Sequence, residues 1–96
     1  MNIREPRQVS IAEINEKDLN KKVKVWGQVT GIKFYEEEEF QIITLDDNTK
    51  KIAVIISNGQ NLQKTLSEQK QIIVIGTISH YKDTLQIEAE KIVLLK

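Results

Sequence analysis

The side chains of this chain that could do chemistry are mainly aromatic rings beside positively charged groups. They form two triplets: Lys33, Phe34 and Tyr35, and His80, Tyr81 and Lys82. Aromatic rings stack on nucleobases, and lysine ammonium groups contact phosphates or lie over a ring face. The triplets therefore predict binding of a nucleotide strand. The alternative is that Phe34 packs at the end of the fold while Tyr35 and His80 are merely exposed.

Three more residues are candidates for the same role, and each has an alternative. Trp26 could be a stacking platform, or it could pack under the N-terminal arm or against another subunit. Phe40 faces outwards if Leu45, which has the opposite parity on the same strand, faces the core, although a bulge would reverse this arrangement. Lys51 could contact phosphate, but a lysine beside a turn is more often solvated.

Catalysis is not predicted, because the chain has one histidine and no cysteine. The sequence contains no Gly-rich phosphate loop and no nucleophile elbow. Glu36, Glu37, Glu38 and Glu39 could attract a divalent cation, but consecutive residues of an extended tip point to opposite sides and would hold it poorly. We expect a non-catalytic protein with no cofactor and no metal site.

The net charge does not by itself indicate a nucleic-acid ligand. The 14 basic and 14 acidic residues cancel, so any binding of a polyanion depends on local clustering of charge. No apolar run reaches the roughly 18 residues of a membrane span, and the first residues lack the apolar core of a signal peptide. The sequence therefore predicts a soluble cytoplasmic protein without a membrane partner, placed in the nucleoid or nucleus if its ligand is DNA.

The segment from Lys22 to Tyr35 has the strongest strand pattern. Val25 and Val29 fall on one side of an extended chain, and Trp26 falls on the other. Gly27 lies on the valine side, and a glycine within a strand predicts a bulge or a bend where another segment comes close. A strand that bends and pairs at both ends is typical of a small closed barrel.

The rest of the chain alternates extended segments with turns. Ser10 and Glu13 fit a capping box at the start of a short helical turn. The other predicted elements are an acidic hairpin tip at 36–39, strands at 40–45 and 51–56 around a turn at 46–49, a short helix at 60–69, and strands at 71–78 and 85–95 around a turn at 79–84. Residues 1–9 are predicted to be an arm and residues 10–96 a single domain.

Three strands, one helix and two strands, in that order, predict an all-β protein with the five-stranded Greek-key barrel of the OB-fold. Three parts of the chain are typical of one family: residues 19–29, residues 40–49, and residues 74–78 with Tyr81, Leu85, Gln86, Ile87 and Ile92. In these parts the chain resembles OB-fold nucleic-acid-binding domains, of the kind found in the anticodon-binding domains of class II aminoacyl-tRNA synthetases and in archaeal replication-protein-A-like proteins.

The resemblance implies a binding face on the second and third strands that takes single-stranded DNA or RNA with low sequence specificity. The implied stacking residues are Trp26, Phe34, Tyr35, Phe40, His80 and Tyr81, and the implied phosphate contacts are Lys33, Lys51 and Lys82. Asn20 and Asn48 stand where the family often has glycine, and asparagine tolerates the same positive φ. The neutral charge and the acidic tip favour the alternative, an OB-fold that joins a larger complex through protein–protein contacts.

Overall fold

The first strand, β1 (Lys22–Tyr35), joins the two halves of the sheet. Its first half pairs antiparallel with β4 (Gln71–Tyr81), and its second half pairs antiparallel with β2 (Phe40–Asp46). The computed structural model describes residues 6–35, 37, 39–57 and 70–95. Both the bounds predicted for β1 and its pairing at the two ends are confirmed.

The sheet closes on itself into a barrel. With β3 (Lys51–Ser57) and β5 (Thr84–Leu95), the strand order is β1-β2-β3-β5-β4, and among these five strands only β3 and β5 pair in parallel. This is the predicted all-β, five-stranded Greek-key arrangement. Two short 3₁₀ turns, Ile11–Glu13 and Glu16–Asp18, precede β1 and confirm the helical turn near the N-terminus. The predicted helix at residues 60–69 lies outside the described residues.

Alternate residues of β2, β3 and the first part of β1 point into the barrel, and with the buried residues of β4 and β5 they form one apolar core. On β1 the inward side carries Val25 and Val29, as predicted. Gly27 shares that side and makes room for Leu45, because an added Cβ would lie 2.7 Å from the Leu45 Cγ atom. The glycine therefore marks a close approach, whereas the irregularity of the strand pairing lies between Val29 and Gly31.

The prediction of a turn over residues 79–84 is wrong, because the turn in the structure is shorter. β4 continues through Tyr81, Tyr81 pairs with Thr84, and only Lys82 and Asp83 form the turn. Lys82 has a φ of 56°, the left-handed backbone that a two-residue hairpin turn needs. The polar residues from Ser79 onwards suggested a turn, but they are side chains at the exposed end of a long hairpin.

The segment before β1 packs against one end of the barrel. Ile11 and Ile14 are buried, and the partly buried Leu19 packs against the core. The Ser10 backbone N–H donates to the Glu13 carboxylate at 2.9 Å, which is one half of the predicted capping box. Val9, the last residue of the arm, packs on the core as well, so this segment and the described end of the arm contact the barrel.

Asp47 ties this segment to the turn between β2 and β3. Its carboxylate accepts hydrogen bonds from the backbone N–H groups of Ile11 (2.7 Å), Thr49 (2.9 Å) and Lys50 (3.2 Å), and from the Thr49 hydroxyl. Partial desolvation raises the pKa of Asp47, but the bonds from Thr49, Ile11 and Lys50 together outweigh it and place the pKa below its ordinary value. The charged form is therefore the one that the folded protein stabilises.

Asp47→Asn is expected to lower the free energy of unfolding at pH 7 by about 2 kcal/mol or more. The asparagine amide has one acceptor oxygen instead of two, and its NH₂ group would face backbone N–H groups that need an acceptor. Because the pKa is depressed on folding, this stabilisation is complete above the ordinary value of about 3.9 and is lost as the pH falls through the lower folded pKa. Urea denaturation between neutral and acid pH measures both effects.

The matched control for this prediction is Asp46→Asn. Asp46 is the neighbouring carboxylate and accepts a hydrogen bond from the Asn48 N–H at 2.8 Å, with no further bond to the N-terminal segment. The loss of stability caused by Asp47→Asn should shrink as the pH falls. The loss caused by Asp46→Asn should be smaller than the loss caused by Asp47→Asn at every pH. Equal losses for the two variants would contradict the role assigned to Asp47.

Candidate functional site

A groove of about 290 Å³ crosses the outer face of the barrel. We call it the outer groove, and its lining residues are Tyr35, Phe40, Ile42, Ile55, Tyr81 and Gln86. They face outwards because their neighbours on β2 and β3, among them Gln41 and Val54, are buried. The outward direction predicted for Phe40 is thereby confirmed, and Ile42 shares it. The volume is at the lower limit of the roughly 300–1,000 Å³ that small-molecule pockets occupy.

One wall of the outer groove is a pair of stacked rings. Tyr35 ends β1 and Phe40 begins β2, and the two are directly opposite in the antiparallel register. Their ring centroids are 4.7 Å apart with an interplanar angle of 13°, which is offset parallel stacking. The Lys33 ammonium lies over the Tyr35 ring, 5.3 Å from its centroid. A hairpin register that places two aromatic residues opposite each other therefore builds a rigid wall.

The opposite wall comes from the β4–β5 hairpin. Tyr81 ends β4 with 62% of its surface exposed, and the Lys82 ammonium lies 5.5 Å from the centroid of its ring. Gln86 on β5 is held by a 3.1 Å hydrogen bond between its amide nitrogen and the Ser79 hydroxyl oxygen. The floor between the walls is apolar, because Ile42 and Ile55 are direct partners across β2 and β3.

The charges around the outer groove are of both signs. Lys33 and Lys82 are the basic groups, each beside a tyrosine. Among the described residues, exposed acidic groups are Glu37 and Glu39 in the β1–β2 turn, Asp83 in the β4–β5 turn, and Glu88, which is the register partner of Ile55. The outer groove is therefore an apolar slot with aromatic walls, with charged groups of both signs on the neighbouring residues.

Five of the nine residues that the sequence suggested come together here: Lys33, Tyr35, Phe40, Tyr81 and Lys82. The other four, Trp26, Phe34, Lys51 and His80, lie elsewhere. Trp26 borders a separate depression with Gln8 and Val9 of the arm. Phe34 has the opposite parity to Tyr35 and projects from the other side of β1, with 51% of its surface exposed.

The last two of these residues, His80 and Lys51, lie near the segment that precedes β1. The His80 Nε2 atom lies 2.9 Å from the Glu16 carboxylate, so this side chain joins β4 to the second 3₁₀ turn. Lys51 lines a depression with Ile11 and Leu85 and is four residues from Ile55 along β3, a distance of roughly 13 Å. Neither side chain lines the outer groove.

Sequence reasoning did not find Ile55 and Gln86. Ile55 lies in a continuous apolar run in which nothing distinguishes the outward residue from buried Val54 and Ile56. Gln86 joins the site only because β3 and β5 pair in parallel, with Ala53 opposite Gln86. That pairing connects residues far apart in the chain and has no local signal.

No group of three or more His, Cys, Asp or Glu side chains in the described part of the chain is arranged to hold a metal ion. Among the same residues no helix is long and apolar enough to cross a membrane. What the outer groove offers chemically is stacking, apolar contact and a few polar atoms.

The sequence and the structure were compared with known proteins. The model of a family described as "OB-fold nucleic acid binding domain" matches residues 23–95. A search of curated protein sequences found no match.

Three solved structures with similar folds are informative. An OBody bound to hen egg-white lysozyme has a TM-score of 0.81 at 18% identity, covering 99% of both chains. Asparaginyl-tRNA synthetase from Pyrococcus horikoshii has a TM-score of 0.81 at 16% identity, covering 92% of this chain but 23% of the synthetase. The S. pombe Stn1-Ten1 complex gives 0.68 at 17% identity, covering 78% of this chain and 58% of that one. At these identities the similarity shows the fold alone.

Proposed function

Since the chain belongs to the family of OB-fold nucleic-acid-binding domains, we propose that it binds single-stranded nucleic acid in the outer groove as a non-catalytic module. The observation that carries the proposal is the aromatic pair of Tyr35 and Phe40 facing Tyr81 across an apolar floor. Bases stack on such rings with roughly 1–3 kcal/mol each. The groove lies on the second and third strands and between two hairpin turns, which is the surface that OB-folds use for oligonucleotides.

Low sequence specificity is part of the proposal. The lining is apolar or aromatic except for the Gln86 amide, one of whose hydrogen bonds already goes to Ser79. Stacking tolerates every base, because each has a π-face. We expect similar affinities for strands of different sequence, and a cytoplasmic protein, or one of the nucleoid or nucleus if the ligand is DNA.

The test is a titration of labelled single-stranded DNA and RNA, followed by fluorescence anisotropy at low salt. We expect saturable binding to wild type and, because Trp26 lies outside the outer groove, unchanged affinity for Trp26→Phe. The intrinsic fluorescence of Trp26 is therefore a poor reporter for this site. Absence of saturable binding of both polymers at high micromolar protein would sink the proposal.

A second candidate function, assembly with another protein, is favoured by one specific surface. Trp26, Ile73 and Val93 are successive cross-strand neighbours on the outer side of β1, β4 and β5, away from the outer groove. Val93 is exposed, and Trp26 and Ile73 are half-buried. Large aromatic and apolar side chains on an outer face anchor protein interfaces. The similar structures include an OBody bound to lysozyme and the Stn1-Ten1 complex. Trp26→Ser should abolish binding to a protein partner and leave oligonucleotide binding intact, whereas Tyr81→Ala should do the reverse.

A further inference from the structure

The outer side of β1, β4 and β5 has an apolar row. Trp26, Ile73 and Val93 are successive cross-strand partners in it, and Val93 is 37% exposed. Ile75, two residues further along β4, is 8% exposed and does not belong to the core cluster. An antiparallel sheet that faces water on its outer side normally has polar residues there. This row therefore differs from a solvated sheet face.

The charged side chains in the register rows next to the apolar row are lysines. Lys24 and Lys91 stand on either side of Ile75 in one adjacent row. The other adjacent row, at positions 28, 71 and 95, has no charged side chain. We call the following residues the lysine-flanked face: Lys24, Trp26, Ile73, Lys91 and Val93.

The carboxylates around the lysine-flanked face have partners or lie beyond the lysines. Glu90 lies 2.9 Å from the Lys22 ammonium and accepts a hydrogen bond from the Thr77 hydroxyl at 2.9 Å. Glu88 is opposite Thr77, one row beyond the two lysines. Asp47, on the arm side, is buried and accepts the backbone hydrogen bonds described above. A ligand seated on the apolar row would therefore meet ammonium groups first.

The β1–β2 hairpin carries the opposite charge at its end. Four successive glutamates occupy positions 36–39, and the two that the structure describes, Glu37 and Glu39, are exposed. Phe34, close to this acidic tip, is 51% exposed. The hairpin end thus combines carboxylates with an aromatic ring, and these are the two kinds of group that complement the lysine-flanked face.

The acidic tip does not reach the lysine-flanked face of its own molecule. β1 is paired along its length, Trp26 with Ile73 of β4 and Tyr35 with Phe40 of β2, so the hairpin has no hinge on which to fold back. A contact between the two surfaces therefore needs a second molecule. The 14 basic and 14 acidic residues cancel, and a net charge near zero promotes association of copies.

We propose that copies of this chain associate head to tail, with Phe34 and the acidic tip of one copy on the lysine-flanked face of the next. This proposal goes beyond the binding of nucleic acid. It rests on the second candidate function and gives it a definite partner, another copy of the chain. Because the two contacting surfaces differ, the association is heterologous and does not close after two copies.

Sedimentation velocity of the wild-type chain gives the first test. The average mass should rise with protein concentration at low salt and fall towards that of the monomer at about 1 M salt, where the Debye length is only roughly 3 Å. A mass that stays at the monomer value up to about 1 mM protein at low salt would overturn the proposal. Assembly with a different protein would then still be tested by Trp26→Ser.

Two variants with complementary defects test the contact itself. The tip variant, Glu37→Lys with Glu39→Lys, retains the lysine-flanked face, and the face variant, Lys91→Ser with Val93→Ser, retains the acidic tip. All four side chains are exposed, so both variants should fold. Each variant alone should associate at least about tenfold more weakly than wild type, a difference of about 1.4 kcal/mol. An equimolar mixture should form a 1:1 dimer and nothing larger, because one intact pair of surfaces remains.

The matched control is Lys51→Ser with Leu94→Ser. It also removes one exposed lysine and one exposed apolar side chain, but neither residue belongs to the lysine-flanked face. This control should associate like wild type. A monomeric mixture of the tip and face variants, or wild-type association of the tip variant alone, would contradict the head-to-tail contact. Oligonucleotide binding enters none of these measurements, so the proposed nucleic-acid function stands or fails separately.

Discussion

Gly76→Ala is expected to lower the free energy of unfolding by about 3 kcal/mol or more, beyond the usual range for overpacked cores. A Cβ atom on Gly76 would lie 2.3 Å from the Glu88 carbonyl oxygen and 2.7 Å from Ile87 Cγ2. The first contact is with backbone, which cannot move without separating β4 from β5 beside their irregularity at Ile75 and Gly76. Urea denaturation of a domain with a total stability of roughly 5–15 kcal/mol would measure the loss.

The chain contains its own controls for this prediction. A Cβ on Gly31 would meet only Thr44 Oγ1 at 3.4 Å and Thr44 Cβ at 3.7 Å, so Gly31→Ala should be neutral or stabilising by about 0.4–1 kcal/mol. Gly27→Ala should lie between the two, because its closest contact is with the movable side chain of Leu45. The loss of unfolding free energy should therefore be largest for Gly76→Ala, intermediate for Gly27→Ala and smallest for Gly31→Ala. Any other order would show that the contact with Glu88 is not what requires glycine at position 76.

Tyr81→Ala is expected to weaken oligonucleotide binding about 5- to 150-fold, the equivalent of the roughly 1–3 kcal/mol that one stacked base contributes. Tyr81 is 62% exposed, so its loss should leave the stability of the barrel unchanged. Phe40→Ala should weaken binding by a similar factor, because it removes the ring face that the stacked wall presents to the groove. Anisotropy titration of both variants, with denaturation as a check on folding, measures the effect.

Phe34→Ala is the matched aromatic control. Phe34 is adjacent to Tyr35 and also exposed, at 51%, but it projects from the other side of β1. Its substitution should change oligonucleotide affinity less than twofold, a difference below about 0.4 kcal/mol. If Phe34→Ala were as damaging as Tyr81→Ala, the ligand would lie on a different surface and the outer groove would be the wrong site.

The sequence was informative where local patterns decide the structure. Its alternation placed Val25 and Val29 inside the barrel and Phe40 outside, and the structure confirms both. Asn48, with a φ of 74°, adopts the left-handed backbone for which asparagine was expected to substitute for glycine. The polar residues 79–84 misled the prediction of a turn, because a two-residue hairpin turn needs only Lys82 and Asp83.

Only some of the residues that line the outer groove could be predicted from the sequence. Parity along a strand shows that Tyr35 and Phe34 point to opposite sides, but parity alone does not show which of them meets a ring on another strand. The register of β1 and β2 decides that Tyr35 stacks on Phe40. Trp26 has an outward parity as well, yet it lies on the part of β1 that pairs with β4 and borders a different depression.

By itself, the sequence determined the bounds of β1, the inward side of β1 and the fold class, because these depend on residues close together in the chain. Only the tertiary structure decided which outward side chains share a surface. Barrel closure pairs β3 with β5 and places Ile55 and Glu88 side by side, although 33 positions separate them in the chain. Strand registers set by the packing of the core thus select, from many outward residues, the few that form an apolar slot with aromatic walls.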